Sequence, residues 1–266
     1  MTALRLTPLF ALGSLRAWRM IERNLLVYKH GWLVLLSGFF EPLFYLLSIG
    51  FGLGRLVGDV AGPGGQLIPY ALFVAPALLA ASSMNGAITE STFNFFFKLN
   101  YDKTFASILT TPMSPADISL GELAWALMRG ALYSIGFLGV MVVFGLVRSP
   151  LVLLTLPASL LIGFAFAAVG MAATSFMRTW QDFDLIQLVI LPMFLFSGTF
   201  FPLDAVPDGV RFLVQLTPLY HGVDLLRTLS VGVVGPDTIV HVVYLLGMGF
   251  IGLFVVSRRL DKLLLK

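Results

Sequence analysis

Ionisable residues that interrupt long apolar runs mark the positions where this sequence could do chemistry. Glu41 precedes Pro42 inside one such run, and Glu90 and Arg129 lie near the ends of two others. A carboxylate among apolar residues needs a partner, a proton or water. Glu41 is therefore a candidate for the lining of a transport pathway, and Glu90 and Arg129 are candidates for an ion pair. The structural alternatives are a kink-stabilising Glu41, a solvated Glu90 and an Arg129 that extends to the surface.

No residue pattern of a familiar enzyme stands out. The sequence has neither a phosphate-binding loop nor a dinucleotide-binding glycine motif, so it is not expected to hydrolyse ATP by itself. The chain has 0 cysteines, which excludes thiolate ligands and thiol nucleophiles. Ser197 and His241 could form a membrane-embedded protease pair, but Leu195 stands where the rhomboid motif has a glycine. His221 and Asp224 could suggest a metal, although an Asp224–Arg227 helix pair is favoured. We expect no catalytic residue, metal or cofactor in this chain.

The composition identifies an integral membrane protein. Residues of the set AVILMFWYC make up 58% of the 266 positions and charged residues 12%, and the mean hydropathy is +0.93. Soluble domains are roughly 45–50% apolar and about 25% charged. A net charge of +3 is too small to indicate nucleic acid. Each membrane span needs about 20 apolar residues, so the sequence predicts an all-α protein with six transmembrane helices. These cover residues 32–54, 68–89, 122–147, 151–176, 185–203 and 239–257.

The distribution of Lys and Arg orients these spans. With the N-terminus inside, only Arg55, Arg148, Arg211 and Arg227 of the 17 Lys and Arg residues fall outside. Cytoplasmic loops retain basic residues, so both termini are predicted to be cytoplasmic. The basic stretch before the first span argues against a cleaved signal peptide. The predicted divisions are a cytoplasmic N-terminal segment 1–31, a six-span domain 32–257 and a basic tail 258–266.

The N-terminal segment has the pattern of an amphipathic interfacial helix. One face is apolar and the other carries an arginine stripe, which suits a helix lying in the inner membrane interface. The alternative is a basic flank without its own structure. The apolar face comprises Leu15, Trp18, Ile21, Leu25 and Leu26, and the stripe comprises Arg16, Arg19 and Arg23.

The loop 98–117 contains a second amphipathic helix on the cytoplasmic side. Apolar residues recur there at helical spacing, and the helix should end at Thr111 because Pro112 follows. Ser114 is then placed to cap the next helix. Such a short helix is suited to docking in another protein's groove, with the alternative that it lies on lipid headgroups. The candidate docking residues are Tyr101, Asp102, Lys103, Phe105, Ile108 and Leu109.

The loop 204–237 is predicted to lie outside and to contain two short helices that dip into the outer leaflet. Backbone at that depth is tolerated where it packs on protein or lines a cavity, so this loop is a candidate outer gate. The alternative is a cover over the bundle. The gate candidates are Phe201, Pro202, Phe212, Pro218 and His221. The candidates for a pathway lining, which could equally face lipid, are Glu41, Phe40, Phe44, Phe194 and Phe196.

The order of these motifs resembles the membrane subunit of type 2 ATP-binding-cassette (ABC) exporters, the group of nodulation lipo-oligosaccharide and daunorubicin-type drug exporters. The first stretch that carries the resemblance comprises Glu90-Ser91-Thr92-Phe93, Lys98-Leu99-Asn100-Tyr101-Asp102-Lys103-Thr104-Phe105, Ile108-Leu109-Thr110-Thr111-Pro112 and Gly121-Glu122. The second comprises Ser197-Gly198, Phe200-Phe201-Pro202, Pro207, Thr217-Pro218-Leu219, Asp224 and Arg227.

This resemblance implies a permease in the bacterial inner membrane that exports an amphiphile such as a glycolipid, lipo-oligosaccharide or hydrophobic drug. It implies a homodimer or heterodimer of permease subunits with two separate ATPase subunits, which hold ATP and Mg²⁺. It also implies that 98–111 is a coupling helix and that the loop between spans five and six carries gate helices. The alternatives are a secondary transporter and a membrane-embedded enzyme. The sequence shows no obvious inverted repeat or charged midplane site to support a secondary transporter.

Overall fold

The computed structural model describes residues 13–29 and 40–265, and within them the chain is almost entirely helical. Residues 1–12 and the predicted start of the first span, 32–39, lie outside the described part. The helices are α1 (Gly13–Tyr28), α2 (Phe40–Val57), α3 (Tyr70–Tyr101), α4 (Thr104–Ile108), α5 (Pro115–Val143), α6 (Thr155–Thr174), α7 (Phe183–Leu195), α8 (Asp208–Leu216), α9 (Pro218–Val231) and α10 (Asp237–Leu264). Short 3₁₀ turns occupy Pro63–Gly65, Pro150–Leu154, Trp180–Asp182 and Leu203–Ala205.

A small antiparallel hairpin joins α2 to α3. Its strands are β1 (Asp59–Ala61) and β2 (Leu67–Pro69), and Val60 pairs with Ile68. The sequence did not predict this hairpin. Because β2 leads directly into Tyr70, the hairpin fixes the start of α3.

Five helices of the described ranges are long and apolar enough to cross a membrane, namely α2, α3, α5, α10 and α6 with its preceding turn. The predicted fifth span, 185–203, is shorter than expected, since α7 has only 13 residues. Phe196 leaves helical geometry, and Gly198 adopts a φ of 72° that an L side chain resists. The chain therefore turns at 196–199 instead of continuing as a helix.

Helix α3 forms the axis of the bundle. In its most apolar window 94% of the residues are buried, compared with 17% in α2. A helix that is apolar all round lies in a protein core or in the membrane, and here α5, α6 and α9 pack against α3. Helix α3 also extends beyond the predicted end at Thr89, through π-helical turns at Glu90–Asn94 and Phe97–Tyr101. It therefore connects the hairpin end of the molecule to the α4 end.

Two glycines let α10 approach α6 closely. A Cβ at Gly252 would lie 2.7 Å from backbone atoms of Ala168 and Val169, and one at Gly249 would overlap the ring of Phe164. Small residues allow such backbone approach between membrane helices, where close packing drives association. The α6–α10 pair is accordingly a rigid part of the bundle.

Helix α5 begins earlier than the predicted span because Ser114 caps it. The Ser114 amide donates to the Asp117 carboxylate at 2.9 Å, and the Asp117 amide donates to Ser114 Oγ at 3.2 Å. Pro115 occupies the first helical position, where its missing N–H costs nothing. This confirms the predicted cap.

Helix α1 packs on α5 along one side only. Met20 is buried and approaches Gly121 so closely that a Cβ there would lie 2.5 Å from it. Trp18 and Leu26 remain exposed, whereas Ile21 is buried. The prediction of one continuous lipid-facing stripe is therefore wrong at Ile21, because the bundle takes part of the apolar face.

Candidate coupling site and transport pathway

Four charged side chains meet at the α4 end of the bundle, three of them buried and the fourth, Lys98, partly buried. Arg129 Nη1 lies 2.6 Å from Glu90 Oε2, and Lys98 Nζ lies 2.7 Å from Glu122 Oε2 and 3.7 Å from Glu90 Oε1. We call these residues the charge cluster. Its two carboxylates balance its two cations, which is the condition for keeping charges in an apolar interior. The predicted Glu90–Arg129 pair is confirmed, and a solvated Glu90 or a surface-directed Arg129 is excluded because both are buried.

Neutral polar groups tie the charge cluster to the surrounding helices. Arg129 Nε donates to Tyr133 Oη at 2.9 Å, and Asn94 Nδ2 donates to Glu90 Oε2 at 2.8 Å and to Tyr28 Oη at 3.1 Å. Burial and, next, the Glu90 carboxylate raise the pKa of Tyr28 in α1, so this hydroxyl stays neutral. The charge cluster thus links α1, α3 and α5. No sequence pattern identified Lys98 and Glu122 as partners, because contacts between helices leave no spacing pattern.

The coupling segment, residues 98–111, follows directly from the charge cluster. Lys103 has a φ of 51°, in the left-handed region that costs a side-chain-bearing residue roughly 1–2 kcal/mol. It separates the end of α3 at Tyr101 from the five-residue α4. A short helix is present, but it covers only Thr104–Ile108 and so ends before the predicted end at Thr111. The sharp turn at Lys103 presents it at the end of the bundle.

The coupling segment has one face packed against the bundle and one exposed face. Phe105 is fully buried and its ring lies 5.0 Å from that of Phe95, and Ile108 and Leu109 also pack against the core. These three side chains therefore pack the segment against its own bundle, and their docking on a partner stays a prediction. Tyr101 is 57% exposed. Asp102, Lys103, Ala106 and Ser107 are exposed beside it.

A polar cavity of about 240 Å³ lies between α2, α3, α5 and α7. The polar side chains that line it are Glu41, Ser82, Asn85, Thr89, Arg129 and Tyr133, and Tyr45 and Phe194 contribute rings to its wall. The structure thus brings together two predicted pathway residues, Glu41 and Phe194. The other three, Phe40, Phe44 and Phe196, are exposed and do not line this cavity.

At the opposite end, Arg227 of α9 ties three parts of the chain together. Its Nε donates to the Phe73 carbonyl at 3.1 Å and its Nη2 to the Gly198 carbonyl at 2.9 Å, while the guanidinium lies 3.7 Å from the centre of the Phe73 ring. Burial lowers the pKa of Arg227 to about 10. The predicted Asp224–Arg227 pair is wrong, because Asp224 contacts His241 instead.

A histidine pair connects α9 to α10. His221 Nδ1 lies 2.8 Å from His241 Nδ1, and His241 Nε2 lies 2.9 Å from Asp224 Oδ2. Burial, and then the neighbouring His241, lower the pKa of His221 to about 4, so this imidazole is neutral at ordinary pH. The sequence placed His221 in the gate but did not reveal its contact with His241.

The other gate candidates differ in position. Phe201 and Pro202 are half-buried beside the 196–199 turn, where Tyr70 Oη donates to the Phe200 carbonyl at 2.9 Å. Phe212 of α8 is exposed, and Pro218 starts α9. Ser197 contacts Thr199 at 2.8 Å rather than His241, which removes the protease pairing. In the part of the chain that the structure describes, no group of three His, Cys, Asp or Glu residues could hold a metal ion.

Long apolar spans, an interior polar cavity and a short exposed segment anchored on a buried charge cluster define a multi-pass membrane permease. A family model described as ABC-2 type transporter matches residues 16–230, and the chain belongs to this family. It is the permease subunit of an ABC exporter, and membership in the family implies association with ATP-binding-cassette subunits.

Curated relatives match over nearly the whole chain. Nodulation protein J of Rhizobium leguminosarum bv. trifolii is 34% identical over 93% of this chain and 95% of its own length. Nodulation protein J of Rhizobium leguminosarum bv. viciae is 31% identical over 96% of this chain and 98% of its own. That of Rhizobium meliloti (strain 1021) is 33% identical over 85% and 82%, respectively.

Proposed function

We propose that this permease moves an amphiphile outward through a path that includes the polar cavity. The observation that carries the proposal is Glu41, an exposed carboxylate that lines the polar cavity and has no ion-pair partner among the described residues. Ionisable groups within membrane spans mark substrate or ion pathways. The other charged residue of the cavity lining, Arg129, is already paired with Glu90, which favours a substrate headgroup over a relayed proton.

The chemistry of the cavity favours a substrate with a polar head and an apolar tail. Ser82 Oγ is buried and has no hydrogen-bond partner in the described structure, so a headgroup can bind there. The rings of Tyr45 and Phe194, 5.8 Å apart, form an apolar wall beside it. The stacked rings of Phe40 and Phe44 continue this apolar surface outside the cavity. A glycolipid, lipo-oligosaccharide or hydrophobic drug has this combination of groups.

ATP hydrolysis takes place on two separate ATPase subunits, which hold ATP and Mg²⁺, and two permease copies or a copy and a paralogue complete the exporter. The exposed residues Tyr101, Asp102 and Lys103 form the docking surface for an ATPase subunit. Phe105 and Lys98 then transmit its movement, because the first is buried in the bundle and the second belongs to the charge cluster.

The outer gate comprises the 196–202 turn, α8 and α9. Arg227 fixes the turn to α3, and the His221–His241 contact fixes α9 to α10. Outward release of a substrate requires at least one of these contacts to open. Phe201, Pro202, Phe212 and Pro218 are the apolar residues that this movement would displace.

The permease lies in the bacterial inner membrane with both termini cytoplasmic. Because the natural chain has 0 cysteines, single cysteines report topology directly. In intact cells, an impermeant thiol reagent should label only the positions that the arginine and lysine distribution places outside. We expect labelling at Asp59, Ser149 and Asp208 and none at Ser14, Ser107 and Ser257. Labelling at Ser107 from outside would invert the topology and remove the docking surface from the cytoplasm.

Substituting Glu41 tests the pathway. Glu41→Gln should leave expression and melting temperature unchanged but lower export of an amphiphile by about tenfold, since a hydrogen bond to a charged group contributes roughly 1.5–3 kcal/mol. Glu41→Leu should lower it further. Transport is measured in vesicles with the partner ATPase, and Glu22→Gln on the exposed side of α1 is the matched control. Normal transport with a lowered melting temperature in both variants would make Glu41 a kink-stabilising group.

A further inference from the structure

A second, apolar cavity of about 680 Å³ lies between α7 and the rest of the bundle. No residue of α7 is buried. One face of α7 nevertheless points toward other helices across this space. That wall consists of Leu185, Ile186, Val189, Ile190 and Met193, and the opposite wall includes Ile88, Phe166, Val169, Ala173, Phe176 and Met248.

The cavity offers no free hydrogen-bonding group. Its two polar residues are Thr92 and Asp182. Thr92 Oγ1 donates to the Ile88 carbonyl at 2.6 Å, and the Asp182 carboxylate accepts from the amides of Arg178 and Thr179 at 2.8 and 3.1 Å. An occupant is therefore hydrocarbon. A space this large is incompatible with close-packed protein, and at about 30 Å³ per heavy atom it accommodates roughly 20 carbon atoms.

The cavity is elongated along the helices. On α6 its lining runs from Phe166 to Phe176, a rise of about 15 Å at 1.5 Å per residue. Its lower end lies beside Met177 and Asp182, at the α4 end of the bundle, since Thr174 Oγ1 contacts the Ser91 carbonyl there. An extended acyl chain fits a space of this length.

Cationic groups stand at this lower end. The Arg259 guanidinium lies 4.7 Å from the centre of the Phe176 ring, and its Nε donates to the Ser175 carbonyl at 3.4 Å. Arg178 is exposed next to Met177, and Trp180 is 60% exposed. The backbone amides of Arg178 and Thr179 both donate to Asp182 Oδ2 and lower the pKa of this carboxyl group. Basic pockets between membrane helices bind anionic headgroups, and tryptophan favours the headgroup level.

We propose that the apolar cavity holds one acyl chain of an anionic phospholipid, whose phosphate binds Arg178 and Arg259. The lipid then supplies the packing that α7 lacks from protein. This site is separate from the polar cavity, because the central helix α3 lies between the two: Thr89 lines the polar cavity and Thr92 the apolar one.

Fluorescence quenching in nanodiscs tests this site. A bimane label on the Val189→Cys variant reports the cavity, and one on Leu188→Cys reports the outer face of the same helix, because Leu188 is exposed but does not line the cavity. The quenchers are doxyl-labelled phosphatidylglycerol and doxyl-labelled phosphatidylcholine in a phosphatidylcholine background. We expect phosphatidylglycerol to quench more strongly than phosphatidylcholine at Val189→Cys. At Leu188→Cys we expect no preference between the two lipids.

Four further variants separate the contribution of the headgroup from that of the tail. Arg178→Gln and Arg259→Gln should each lower the preference for phosphatidylglycerol about fivefold, as expected for one basic residue near an anionic lipid. Ala173→Phe should fill the cavity and reduce quenching by both lipids, whereas Val143→Phe, on the exposed face of α5, should not.

Equal quenching by the two lipids at Val189→Cys, or quenching that survives Ala173→Phe, would overturn the proposal. So would displacement by dodecyl maltoside as effective as by unlabelled phosphatidylglycerol, because the cavity would then accept any tail, including that of a transported substrate. The measurement needs neither ATP nor an ATPase subunit. Its failure is therefore distinct from a failure of the proposed transport function.

Discussion

Replacing Arg129 with methionine is expected to lower the stability of the chain by about 3–5 kcal/mol, the usual cost of removing one partner of a buried ion pair. The Glu90 carboxylate would lose the contact at 2.6 Å and keep Lys98 at 3.7 Å as its one cation, with the hydrogen bond from Asn94 Nδ2 at 2.8 Å. Tyr133 Oη would lose its hydrogen bond from Nε as well. The measurement is the melting temperature and the monodisperse yield of the detergent-solubilised protein.

Two matched variants show whether the effect comes from the buried charge. The double variant Glu90→Gln, Arg129→Met removes both charges and should recover most of the lost stability. Arg19→Met removes an exposed partner at 2.7 Å from Glu22, and exposed pairs contribute only about 0–1 kcal/mol. An Arg129→Met protein as stable as Arg19→Met would show that the charge cluster does not hold the bundle together.

The fold was largely predictable where local chemistry decides it. Apolar runs located the bodies of the long helices, and Ser114 located the start of α5 through its cap. The extension of α3 to Tyr101 was not predictable, because π-helical turns leave no clear periodicity. The short α7 was missed because the apolar run that predicts the span continues to Leu203, whereas the helix ends at Leu195 and Phe196 leaves helical geometry.

The sequence predicted which residues belong to the candidate site better than it predicted which of them contact each other. Glu90 and Arg129 could be paired because a charge in an apolar run needs a partner. The contact of His221 with His241 depends on how α9 packs against α10. No residue spacing in a single sequence predicts that packing. Which face of α4 meets the bundle was not predictable, since five residues with apolar and polar positions do not specify it.

The burial of Phe105 against the bundle gives the sharpest test of coupling. Phe105→Ala should destabilise the coupling segment by about 3–5 kcal/mol, the typical cost of deleting a buried phenylalanine, because the ring is fully buried against Phe95. The variant should insert normally, and ATP hydrolysis by the partner subunits should no longer drive export. Phe105→Leu, which keeps most of the apolar volume, should retain a large part of the coupled transport.

Tyr101→Ala separates docking from anchoring in the same complex. Because Tyr101 is 57% exposed, its removal should leave the melting temperature of the permease unchanged, while the loss of an interface anchor weakens ATPase binding by more than about 1 kcal/mol. Binding is measured by titration of the ATPase subunit onto permease in nanodiscs, and coupling by the ratio of export to ATP hydrolysis. If Phe105→Ala weakens ATPase binding as much as Tyr101→Ala but leaves the melting temperature unchanged, then Phe105 leaves the core to meet the ATPase. The buried anchor would then be a resting position of the coupling segment, not the one in which it works.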